Sequence, residues 1–128
     1  MSYYFSKISE LDFDSTINKI QENIQNYGFG IISEIDVTAT FKKKLNADFR
    51  KYRILGACHA PSAFKAISIE NKIGTMLPCN IIVQELEDGK IEVSAVDPIQ
   101  SMMAVQNEQL GAVASEVRDN LKKFIDEF

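Results

Sequence analysis

The stretch CNIIVQELEDGKIEVSAVDP, residues 79–98, decides the fold. Two runs rich in β-branched residues flank Asp88-Gly89, a dipeptide that supplies the positive φ a tight hairpin turn requires. The reading is strand four from Cys79, a turn, and strand five ending at Asp97. Asp97-Pro98 then makes a helix start, because an aspartate side chain accepts from first-turn N–H groups and proline suits the first helical position. A short helix over residues 98–105 follows. From Glu108 a long terminal helix carries Leu110, Val113, Val117, Leu121, Phe124 and Phe128 on one face.

Upstream of the hairpin, YRILGAC (residues 52–58) reads as strand three, and Pro61 opens a helix that runs over residues 61–73 until Gly74 stops it. TATFKKKLN offers Thr38 as the N-cap of another short helix. FGIISEIDV, residues 29–37, places Phe29, Ile31, Ile35 and Val37 on alternating positions and reads as strand two. Before it, Asp12 caps a helix whose stripe is Phe13, Ile17, Ile20, Ile24 and Tyr27, and Gly28 ends that helix in a left-handed conformation. Residues 2–8 are aromatic-rich and form strand one. The order β-α-β-β-β-β-α, with short helical insertions, predicts an α+β fold: an antiparallel sheet backed by helices on one face.

The 128 residues fit one domain, residues 1–128, able to bury a core without staples. Hydrophobic residues make up 45% and charged residues 25%, an ordinary globular balance. A net charge of -4 favours solubility and argues against a global nucleic-acid or anionic-membrane surface. The N-terminus lacks the pattern of a secretory signal, no apolar run is long enough to span a bilayer, and two cysteines in such a chain read as thiols. A cytoplasmic location is the expectation.

Three segments together carry a resemblance: YGFGIISEIDV; then YRILGACHAPSAFKAI with IGTMLPCNIIVQELEDG; then VDPIQSMMAVQNEQLGAVASEVRDNL. They resemble the bacterial and archaeal proteins called domain of unknown function 302, over nearly the whole chain. The commonest form of that family has an Asn-Pro pair after the first motif cysteine, whereas this chain has His59-Ala60 with Pro61 one position later. The resemblance implies a TATA-binding-protein-like α+β architecture and a homodimer. It implies no established reaction and no cofactor, and the fold name carries no DNA-binding warrant.

In an antiparallel meander, strand three ends where strand four begins and strand five ends. Cys58, His59, Cys79, Asn80 and Asp97 are therefore expected at one rim of the sheet, the thiols as near neighbours although 21 residues apart in sequence. The helix starts at Pro61 and Pro98 fall on the same rim, and their backbone N–H groups suit a small anionic ligand. Cys58 precedes a helix N-terminus, the setting of a reactive thiol, so a thiol redox enzyme or sensor using Cys58 and Cys79 is the alternative. A Cys58–His59 dyad is disfavoured, because neighbours on an extended chain point to opposite faces. No metal is expected, since the Cys58, His59, Cys79 and Asp97 spacing matches no zinc pattern.

A third reading uses the basic segment 42–53, where Lys42, Lys43, Lys44, Arg50, Lys51 and Arg53 face Asp48 alone, a local balance of +5. That charge could meet a nucleic-acid backbone or an acidic partner. A solvated face is the plainer account, because only Phe49 and Tyr52 interleave it as stacking surfaces. The residues alone leave enzyme or non-enzyme open.

Overall fold

The computed structural model describes residues 2–128. Among these, five strands form one sheet: β1 (Tyr4–Ser9), β2 (Gly30–Asp36), β3 (Tyr52–Cys58), β4 (Cys79–Glu85) and β5 (Ile91–Val96). Their order is β1-β5-β4-β3-β2 and every neighbouring pair is antiparallel. The helices are α1 (Phe13–Asn23), α2 (Val37–Leu45), α3 (Ala60–Ile69), α4 (Pro98–Ser101) and α5 (Leu110–Glu127), with single 3-10 turns at Ile24–Tyr27 and Ile73–Met76. The fold is the expected α+β arrangement. No helix among the described residues is long and apolar enough to cross a membrane.

The central hairpin forms as its sequence requires, with Gly89 at φ 83° in the turn between β4 and β5. Alternation along it sends Ile81, Val83, Ile91, Val93 and Ala95 into the core. The opposing layer comes from α1 (Phe13, Ile17 and Ile20) and α5 (Val117, Leu121, Phe124 and Ile125). Each such side chain, once buried, contributes about 1.5–3 kcal/mol, so this two-layer contact dominates the stability. Asp12 starts α1 by accepting from Ser15 N–H at 2.8 Å, and Gly28 terminates the following 3-10 turn at φ 84°.

Strand two departs from its expected alternation. A bulge between Ile31 and Ser33 adds one residue to β2, and side chains beyond it change faces. Ile31 packs on the core, while Ile35 lies opposite Ile54 on the other face and is 50% exposed. Val37 belongs to α2 rather than to the strand.

Three helix boundaries are also corrected. The cap of α2 is Asp36, which accepts from Ala39 N–H at 2.9 Å; Thr38 instead donates to the Arg50 carbonyl and accepts from Tyr52 N–H, tying the 46–51 connection to β3. Helix α3 ends at Ile69, not at Gly74, with Glu70 extended at φ -136°. Ile73 continues the apolar spacing but is buried from a separate 3-10 turn. Helix α4 is a single turn, shorter than residues 98–105.

A second, smaller core lies beyond the end of the sheet. There Ala66, Ile73 and Leu110 are buried together, with Ile69, Leu77, Met102, Val105 and Val113 packed around them. It joins α3 to the start of α5.

Candidate functional site

Between the two cores lies a cavity of about 320 Å³. The sheet end supplies Phe29, Ala57, Cys58 and Cys79; α3 supplies Ser62, Ala63, Ala66 and Ile67; Met102, Leu110, Val113, Ala114 and Val117 close it from the α4–α5 side. The space exists because facing positions hold small side chains. Ala57, Ala63, Ala66, Ala114 and Gly74 all border it, where larger residues would have joined the cores into one. Ile32 and Ile67, exposed members of the lining, mark its mouth.

Register brings the rim together. Ala57 pairs with Cys79, Gly30 with Cys58, and Ile81 with Ala95, so the end of β3, the start of β4 and the end of β5 are neighbours. Cys58 and Cys79 both line the cavity, and both are free thiols. Cys58 is half-buried, whereas Cys79 is 7% exposed. Burial pushes the Cys79 thiol up from its ordinary 9.0 to about 11, and the nearby Cys58 charge adds to the rise. At neutral pH Cys79 is a protonated, poorly nucleophilic thiol.

His59 lines the same cavity although it follows Cys58 directly. The cavity sits off the end of the sheet, where the chain has already left the strand, so strand alternation does not separate the two. His59 is the N-cap of α3: Ser62 N–H donates to its Nδ1 at 3.3 Å, and the Ser62 hydroxyl lies 2.7 Å from the same nitrogen. Its ring stands 5.4 Å from that of Phe29 and covers Gly28, where an added Cβ would meet the imidazole Cδ2 at 2.9 Å. Glycine is required there twice, by its positive φ and by this close approach.

Asn80 and Asp97 reach the rim but do not line the cavity. Alternation along β4 turns Asn80 away from the core face, and it is exposed. Asp97 is 4% exposed and fully engaged: it accepts from Ile99 N–H at 3.0 Å as the cap of α4 and from Arg118 Nε at 3.1 Å. The Arg118 guanidinium also covers the Phe5 ring at 5.3 Å. This carboxylate fastens α4 and α5 to the sheet. Among the described residues no three His, Cys, Asp or Glu side chains converge as metal ligands.

The basic segment is largely occupied by its own neighbours. Arg53 pairs with Glu34 at 2.7 Å and Asp36 at 3.4 Å, and Lys42 with Asp48 at 3.2 Å. Arg50 lies over Phe49 and Tyr52 and donates to Gln84 Oε1 at 3.0 Å. The cations that the sequence suggested for a phosphate backbone are thus partly neutralised within the chain.

Sequence reasoning missed Ser62 and the α5 wall. The signal for the wall was present as small residues, Ala63, Ala66 and Ala114, on the inward faces of two apolar helices.

A family model described as domain of unknown function DUF302 matches residues 5–128. The structure is similar to a crystal structure of the uncharacterized conserved protein DUF302 from Bacillus stearothermophilus, with a TM-score of 0.90 over 98% of each chain at 20% identity. At that identity the likeness establishes the fold alone. No curated protein matches the chain.

Proposed function

We propose, from the premise that the chain belongs to the DUF302 family, that it binds a small, uncharged, largely apolar molecule in the cavity at the Cys58 rim. One observation carries the reading: about 320 Å³ of space whose lining contains no Lys, Arg, Asp or Glu. Pockets of about 300–1,000 Å³ with an apolar lining and a few convergent polar groups are the usual form of a small-molecule site. The volume is about twice the roughly 150 Å³ cavity that accepts benzene.

The anionic ligand expected from the helix starts is less well supported. His59 occupies the cap of α3, and the Asp97 carboxylate already holds the start of α4. Burying an anion in this lining would leave its charge uncompensated. The thiol-redox alternative is also less supported, because Cys79 would have to ionise from a buried position against its raised pKa.

The test is ligand-detected NMR with neutral aromatic probes between benzene and naphthalene in size. Binding is expected in the wild-type chain and lost in Ala66→Leu, which fills the cavity from α3. Absence of binding in the wild type at millimolar probe would overturn the reading.

Homodimer formation is a second reading, supported by the face of the sheet opposite α1 and α5, which α2 borders only at the Ile35–Ile54 end. Ile35, Ile54 and Ile82 align across β2, β3 and β4 there, with Tyr4 and Ile8 on β1, both 44% exposed. An apolar row on one face of a sheet suits a self-complementary contact. Light scattering should report twice the 14.4 kDa chain mass, and Ile82→Lys should give monomer; a monomeric wild type would end this reading. Two free thiols suit the reducing cytoplasm.

A further inference from the structure

The polar end of the cavity restricts its ligand further. A backbone N–H can only donate, so the bond from Ser62 N–H requires an unprotonated Nδ1 on His59. A neutral imidazole in that state carries its proton on Nε2. Nε2 has no hydrogen-bond partner among the described residues, and its ring lines the cavity beside Phe29. The Ser62 hydroxyl is already directed to Nδ1 at 2.7 Å, and Ser62 is 4% exposed. Nε2 lies over Gly28, 3.0 Å from where a Cβ there would stand, which leaves a fixed N–H donor at the Gly28 edge of an otherwise apolar, uncharged space.

Resting on the cavity reading above, we propose that the ligand is a neutral apolar molecule bearing one hydrogen-bond acceptor, a carbonyl or ether oxygen, and that His59 Nε2–H is the donor that selects it. The helix fixes the tautomer, because protonating Nδ1 would remove the cap of α3. The Phe29 ring and the Gly28 backbone hold the imidazole plane. A hydrocarbon of the same shape fills the same space but leaves the donor unpaired, and the ketone is favoured by the net value of one hydrogen bond, about three- to tenfold in affinity.

The experiment compares 1-indanone with indane by NMR titration in the wild type and in His59→Asn. Asparagine is a strong N-cap residue and keeps the start of α3 while removing the imidazole. The expected result is a three- to tenfold preference for the ketone in the wild type and none in the variant. Equal affinities in the wild type, unchanged in the variant, would overturn the selection by His59 and leave the cavity reading standing. Failure of both probes to bind would overturn both. Independently, nitrogen chemical shifts of the His59 ring should show Nδ1 unprotonated; a proton on Nδ1 would overturn the assignment without reference to any ligand.

Discussion

Between pH 9 and 11 the folded state should lose about 2–3 kcal/mol through Cys79 alone. The thiol is neutral when protonated, and burial holds its folded pKa at about 11 against an ordinary 9.0. Below pH 9 the thiol is protonated in both folded and unfolded chains, so it contributes nothing to the pH dependence. Above 9 the unfolded chain releases the proton while the folded one retains it, and stability falls until the folded pKa is passed. A hundredfold difference in ionisation constant, at about 1.4 kcal/mol per factor of ten, sets the ceiling. The assay is urea unfolding of the wild type and Cys79→Ala from pH 7 to 11. Lysines and tyrosines titrate in both proteins and cancel in the difference. That difference should be flat to about pH 8.5 and then shift against the wild type by about 2–3 kcal/mol. A flat difference throughout would show that Cys79 ionises freely in the fold, and the thiol-redox reading would regain its ground.

Three further outcomes follow from the same geometry. Asp97→Asn keeps an acceptor for Ile99 N–H but removes the charge facing Arg118; because Arg118 keeps 32% of its side chain in water, the cost should be about 1–2 kcal/mol, and an unchanged unfolding midpoint would show the pair to be without effect. Gly56→Ala would drive a Cβ against the Ser33 hydroxyl and Pro78 Cγ, the latter at 2.6 Å, and should cost about 1–3 kcal/mol by overpacking; wild-type stability would contradict that contact. Native protein should react at Cys58 with an aromatic disulfide reagent and expose Cys79 only on denaturation; equal native rates would contradict the burial difference.

Much of the fold is written in local pattern, and the exceptions have identifiable causes. Strand β3 runs over the seven residues its pattern predicts, Tyr52–Cys58, and the Asp88-Gly89 hairpin forms as read. Alternation misplaces the second half of β2, because a bulge leaves no strong mark in composition yet reverses the face of every later residue. Helix α3 stops short of Gly74 because the chain turns extended at Glu70, a break that no glycine or proline marks. At the rim, topology placed Cys58, Cys79 and Asp97 on neighbouring strand ends, but topology does not give side-chain direction. Strand alternation does not separate Cys58 from His59 and applies instead to Cys79 and Asn80, which diverge along β4. The cavity was illegible because it is defined by atoms that are missing: small residues on α3 and α5, more than forty positions apart, must face one another before their smallness makes space.

His59 shows how a departure from a family pattern is absorbed. The resemblance places an asparagine at this position, and a cap needs only an acceptor within reach of the first-turn N–H groups. Imidazole Nδ1 meets that need, so α3 starts where an asparagine would start it. The larger ring brings a second demand, because it occupies the space above Gly28 that a side chain there would use. The two positions are therefore linked. Gly28→Ala in the wild type carries both the strain of a positive φ, about 1–2 kcal/mol, and the displacement of the imidazole. In a His59→Asn background the strain persists and the displacement is relieved. The double variant should be more stable than the sum of the single effects predicts, by about 0.5–2 kcal/mol in a urea double-mutant cycle. Strict additivity would mean that His59 does not rest on Gly28, and the fixed orientation assigned to its ring would fall with that contact.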